Sequence, residues 1–169
     1  MAKRVCKARV TAGVGYVCKE PGQLCVSYQG AKNAVSYRVL YGNTRAISIA
    51  ETDPQENADM PWEQPYIEKI LKKIKVGEEV PLQEAVREFT EKLSGSRMSL
   101  QKYKILIMGL IAELFRFGFD HGMNPDEIFG ENSDVYIQAM QIESPEALGV
   151  WLNDKCLQMQ KMVLHERQD

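Results

Sequence analysis

The residues best suited by type and spacing to chemistry lie between Asp120 and Glu131, DHGMNPDEIFGE, a run with the length and acidic ends of a calcium loop. An EF-hand needs glycine at its sixth position for the sharp turn and a ligating oxygen at its third. Pro125 and Gly122 occupy those places, so no metal is expected there. Gly13-Val14-Gly15 is half of a dinucleotide fingerprint, but Cys18 stands at the third glycine position and no helix begins at once. These glycines read as strand residues. His121 and His165 fall at helix ends, where an imidazole can satisfy terminal carbonyls, and neither has a second His or a Cys at ligand spacing. No serine sits in a G-x-S-x-G elbow. Cys6, Cys18, Cys25 and Cys156 form no CxxC pair, and no signal peptide precedes them, which fits a reduced cytoplasmic protein. The expectation is a protein that is not an enzyme and carries no cofactor.

Two other groups of residues have spacing that suggests association. Leu148, Leu152, Met159 and Val163, with Trp151, Cys156 and Met162, mark one side of the last helix at nearly heptad intervals. They read either as a core-facing stripe that closes a bundle or as a dimer and transmission seam running on into a following domain, and the two can hold at different ends of the helix. Phe115, Phe119, Tyr136 and Trp151 are candidates to line a pocket for a small metabolite within the bundle; aromatic residues line many pockets, although they fill cores more often.

Composition narrows the partners. A chain of 169 residues with 44% hydrophobic side chains can furnish a core, and a formal net charge of −2 argues against a broad surface for nucleic acid. The basic start, Lys3, Arg4, Lys7 and Arg9, reads as a solvated helix face in preference to a phosphate-binding patch. The apolar run Ile105 to Ala112 is far shorter than the roughly 20 residues a membrane helix requires. No membrane partner is expected.

The elements that must position these residues fall into two parts, 1–52 and 53–169. In the first, Ala2 to Lys7 reads as the tail of a helix, Ala8 to Val17 as a strand, Leu24 to Tyr41 as an amphipathic helix and Arg45 to Ala50 as a returning strand. Gly42 and Asn43 end the helix. Two strands and a helix bury too little to stand alone, so the missing strands are expected from the helical part, a second copy or residues upstream. ETDPQENADMPWEQP, Glu51 to Pro65, is acidic with three prolines and marks the boundary; Trp62 within it is expected to dock on a neighbouring surface. Beyond it the pattern is helical. Ile67, Ile70 and Ile74 predict a helix ending at Gly77. A second helix follows Pro81 with Leu82, Ala85, Val86, Phe89 and Leu93 buried, and a third, Ser99 to Asp120, apolar around most of its girth, is expected at the centre. Asn124-Pro125-Asp126-Glu127 starts a short turn that stops at Gly130, Ser133 to Ile142 forms a further helix, and Ser144-Pro145 opens the last one, to about Glu166. The fold class is α+β and mostly helical.

SYQGAKNAVSYRVLYGNTRAISI, Ser27 to Ile49, resembles the C-terminal end of the GGDEF fold, with Ala31, Ala34, Val35 and Gly42 matching, while Lys32 stands for Asp and Val39 for Lys. Ser27-Tyr28, Ala31, Ala34 and Tyr37-Arg38 look more like the S-Y-x-E-A-x-x-A-L-x-Y-R pattern of degenerate GGDEF-like regions in AraC-type two-component response regulators, with Gly30 replacing Glu. VTAGVG, Val10 to Gly15, fits the preceding strand; Ile128-Phe129-Gly130 and Pro145 to Leu152 are similar to the helical region downstream of it in those regulators. The resemblance covers most of the chain. It implies a partial GGDEF-like α/β segment with a helical bundle after it, acting as a non-catalytic signal-transmission and dimerisation module between a receiver and a DNA-binding domain. The homodimer would meet DNA only through a helix-turn-helix domain downstream. The hairpin that carries the GGDEF motif is absent from this sequence, and with it the residues for diguanylate cyclase activity. The alternative is a sensor that binds a metabolite in the bundle.

Overall fold

The computed structural model describes residues 9–52, 63–96, 98–130 and 135–166. They form a mostly helical α+β protein with one small parallel sheet. The expected helix at Ala2 to Lys7, the basic residues Lys3, Arg4 and Lys7, and Trp62 lie outside the described residues.

The sheet pairs β1, Ala12–Val14, with β2, Ala46–Ser48, in parallel, Gly13 opposite Ile47. Both strands are shorter than their β-branched runs suggest. Hydrogen bonds from Ala12 N to Arg45 O (3.0 Å) and from Ile49 N to Val14 O (2.9 Å) close the ladder. Past Gly15 the chain leaves the sheet, and Ser27 Oγ donates to Tyr16 O at 2.7 Å instead.

Helix α1, Leu24–Ser36, lies directly on β1. The two glycines make this approach close: a Cβ on Gly13 would collide with the carbonyl oxygen of Ala31, and one on Gly15 with that of Ser27. Gly13 and Ile47 face the helix. The alternate residues Ala12, Val14 and Ala46 are exposed on the other face. Parallel sheets are normally covered on both sides, whereas among the described residues this one has an open face.

The single helix expected from Leu24 to Tyr41 is two. Tyr37 ends α1 with φ −73° and ψ −2°, and α2, Arg38–Tyr41, comes next as one turn. The remaining helices are α3, Glu63–Val76; α4, Glu79–Ser94; α5, Leu100–Asp120; α6, Pro125–Phe129; α7, Val135–Met140; and α8, Pro145–Glu166. Helix α4 begins two residues before Pro81, which therefore occupies the first turn, where its missing N–H has no partner to lose. Caps fix three of the starts. Ser99 Oγ accepts from Lys102 N at 3.2 Å, Asn124 Oδ1 from Asp126 N at 3.1 Å, and Ser144 Oγ from Ala147 N at 3.1 Å.

The most extensive helix packing is between α4 and α8, with α3 against both. Ile67, Ile70 and Ile74 of α3 meet Leu82, Val86, Phe89 and Leu93 of α4 in a core that takes in Ala34, Val39, Leu40 and Ile47 of the α/β part. Each fully buried Leu or Ile contributes about 1.5–3 kcal/mol. Helix α5 is not surrounded as expected: it buries Leu106, Leu110, Leu114 and Phe117 but leaves Ile105, Met108 and Phe119 exposed, because at 3.6 residues per turn those three fall outside the face that meets α3, α6 and α7.

Candidate functional site

The two parts of the chain are joined at α2. Gly42 adopts φ +82°, which an L side chain would resist, and so ends the turn and releases the chain towards β2. Within the turn Val39 and Leu40 are buried, and the turn as a whole rests on α4 and α8. Tyr37 and Tyr41 stack with ring centroids 6.1 Å apart and planes 16° from parallel. Arg38 forms an ion pair with Glu143, in the segment that leads into α8. Both side chains are part exposed, so the pair is a locator worth about 0–1 kcal/mol.

Beside this junction α1, α2, α5 and the α7–α8 connection enclose a cleft of about 710 Å³. Tyr103 lines it at 3% exposure, and its buried hydroxyl oxygen has no hydrogen-bond partner. Burial pushes the phenol pKa up, which keeps the hydroxyl protonated and a donor. Two further clefts lie elsewhere. One, of about 450 Å³, runs along α4 and α8, where Thr90 meets Gly149 and the buried Oδ1 of Asn153 is unpaired. The other, of about 590 Å³, carries mixed charges from Lys72, Lys75, Glu113 and Arg116.

The residues singled out in the sequence are distributed differently. Leu148, Leu152, Met159 and Val163 are all buried against this chain's own helices. The stripe is core, and none of the four is on the surface to meet a second copy. The heptad-like spacing arises because α8 needs a continuous apolar side against α3 and α4. Phe115 stacks on Phe129 at 4.6 Å and lies 6.4 Å from Phe119, but Phe119 is 64% exposed and Tyr136 is exposed on α7. Trp151 is half-buried with its Nε1 unpaired. These four line none of the three clefts.

His121 and Cys156 hold structural positions. His121 Nδ1 is 2.8 Å from the Phe117 carbonyl, and its ring stacks on Phe117 at 4.2 Å, so it caps α5. Cys156 is fully buried and burial pushes its thiol pKa up, making it inert. Among the described residues no group of His, Cys, Asp and Glu could hold a metal, and no helix is long and apolar enough to cross a membrane.

Residue periodicity gave no sign of the Tyr103 site. A tyrosine at a core spacing looks like any other core residue, and only the absence of an acceptor within reach distinguishes it. Comparison with family models, with curated proteins and with solved structures finds no match.

Proposed function

We propose that the chain is a non-catalytic transmission module of the kind found between the receiver and the DNA-binding domain of AraC-type response regulators. The observation that carries the reading is the pairing of an open α/β face with a buried root. Among the described residues the sheet is covered on one side only, with Ala12, Val14 and Ala46 exposed on the other, while α1 ends at Tyr37 and leads into a turn set against α4 and α8. A partner docked on the open face would push on a lever whose far end is fixed in the bundle core. Close-packed interiors move between discrete arrangements, so such a push would reorient helices.

Self-association belongs to this reading, and the open sheet face with the exposed side of α1 is its interface, since the α8 stripe is occupied. No catalytic step is assigned. Contact with DNA is left to a helix-turn-helix domain elsewhere in the regulator.

The test is to read the gene on both sides of this segment. A receiver with a phosphorylatable Asp before it and paired helix-turn-helix motifs after it is the expected result. Any other neighbours, or none, overturn the reading.

A further inference from the structure

We propose that the cleft between α2 and α5 is a binding site for a small molecule with an apolar body and one oxyanion head, a carboxylate or a phosphate monoester. The site stands on its own observations and does not rest on the transmission reading.

The cleft is two-sided. Among the described residues its cations are Arg38 from α2 and Lys104 from α5, and its carboxylate is Glu143. Glu143 is paired with Arg38, whose guanidinium has more donors than one carboxylate oxygen can use, and Lys104 makes no ion pair among the described residues. The balance facing the cleft is positive. Val39 and Ile142 supply apolar wall, against which a ring or short chain can lie.

Tyr103 singles out the oxyanion. A hydroxyl that is buried without a partner is costly, and folded proteins rarely keep one without a use. Its hydrogen needs an acceptor; the oxygen itself is closed off just behind the cleft wall that Tyr103 helps to line, so an acceptor reaches it once that wall gives slightly. An oxyanion there would receive the phenol hydrogen and be flanked by the lysine ammonium and the guanidinium, each bond strengthened by the charge on the acceptor. A volume of about 710 Å³ suits a molecule of metabolite size. Because one wall belongs to the α/β part and the other to the bundle, the bound molecule would bridge them.

The test titrates the full chain with phenylacetate and, separately, with phenyl phosphate, monitored by amide NMR shifts and calorimetry. The two probes share a ring and differ in the head, so saturation by one alone identifies the head group. The same titrations are run on Tyr103→Phe, which removes only the unpaired hydroxyl, and on Lys104→Gln, an exposed change that the fold tolerates. The expected result is saturable binding with shifts at Tyr103, Lys104 and Ile142. Affinity falls about tenfold or more in at least one variant whose melting temperature is kept. Failure of both probes to saturate overturns the site, and so does binding that every well-folded variant retains within that factor.

Discussion

Gln160 Nε2, buried in α8, donates to the Lys73 carbonyl at 3.2 Å and to the Glu78 carbonyl at 3.4 Å, so one side chain spans the turn between α3 and α4. The hairpin of α3 and α4 is thereby registered on α8 by a polar contact inside an apolar interface. Gln160→Leu should cost about 1–2 kcal/mol in urea denaturation. Gln160→Glu should cost more, because it sets a carboxylate against two carbonyl oxygens in a site with little water. Equal losses in the two variants would show that packing, and not the donor, is what matters.

Gly13, like Gly15, is a point where the strand segment and the helix leave no room for a side chain. A methyl group there would strike the Ala31 carbonyl and lie 2.8 Å from Val35 Cγ2, and backbone cannot yield as a flexible side-chain tip can. Gly13→Ala should destabilise by about 2–4 kcal/mol, mainly by lifting α1 off β1. Gly22→Ala is the control, since nothing lies within 4 Å of the added carbon. Its effect should stay within about 0.5 kcal/mol. The pair is read by thermal melts at matched concentration.

The helical half was legible because its signals are local and redundant. Asn124, Pro125 and Gly130 bracket α6, and Ser144 with Pro145 starts α8, as the capping rules require. What periodicity cannot supply is the identity of the surface each apolar stripe meets. Leu148 and Met159 have the same spacing whether they face α4 or a second copy, and only the three-dimensional packing decides for the core. The break at Tyr37 was equally hidden, since Val39 and Leu40 keep an apolar helical pattern across a residue that leaves the helix. The orphan hydroxyl of Tyr103 depends on what is missing around it, which no local pattern records.

Cys156 should make stability fall with alkaline pH. Its folded thiol is held above its ordinary pKa by burial, while an unfolded thiol ionises near about 8.5. The stabilising difference is therefore complete below that pH and is lost as pH rises beyond it, at up to about 1.4 kcal/mol per pH unit. Tyr103, also raised, adds to the slope only above its ordinary value, near pH 10. Between these limits the urea midpoint of the parent should drop with pH and that of Cys156→Ala should drop less. In the native protein iodoacetamide should modify the exposed Cys25 while sparing Cys156. A flat profile in the parent would mean that the thiol is reached by water.

Leu152 and Val150 sit two residues apart on α8 and separate the two meanings of its stripe. Leu152 is fully buried and Val150 is 73% exposed. A carboxylate at a core position must be desolvated without a partner, so Leu152→Glu should cost more than about 4 kcal/mol and abolish the cooperative melt. Met159→Glu, buried on the same side, should do the same. Val150→Glu should leave the melting temperature nearly unchanged, because its side chain gains a charge that water already reaches. Circular dichroism melts and light scattering distinguish this from a seam between copies. If Leu152→Glu stayed folded and only shifted the protein from dimer to monomer, α8 would have to be repacked outward and the bundle core redrawn without it.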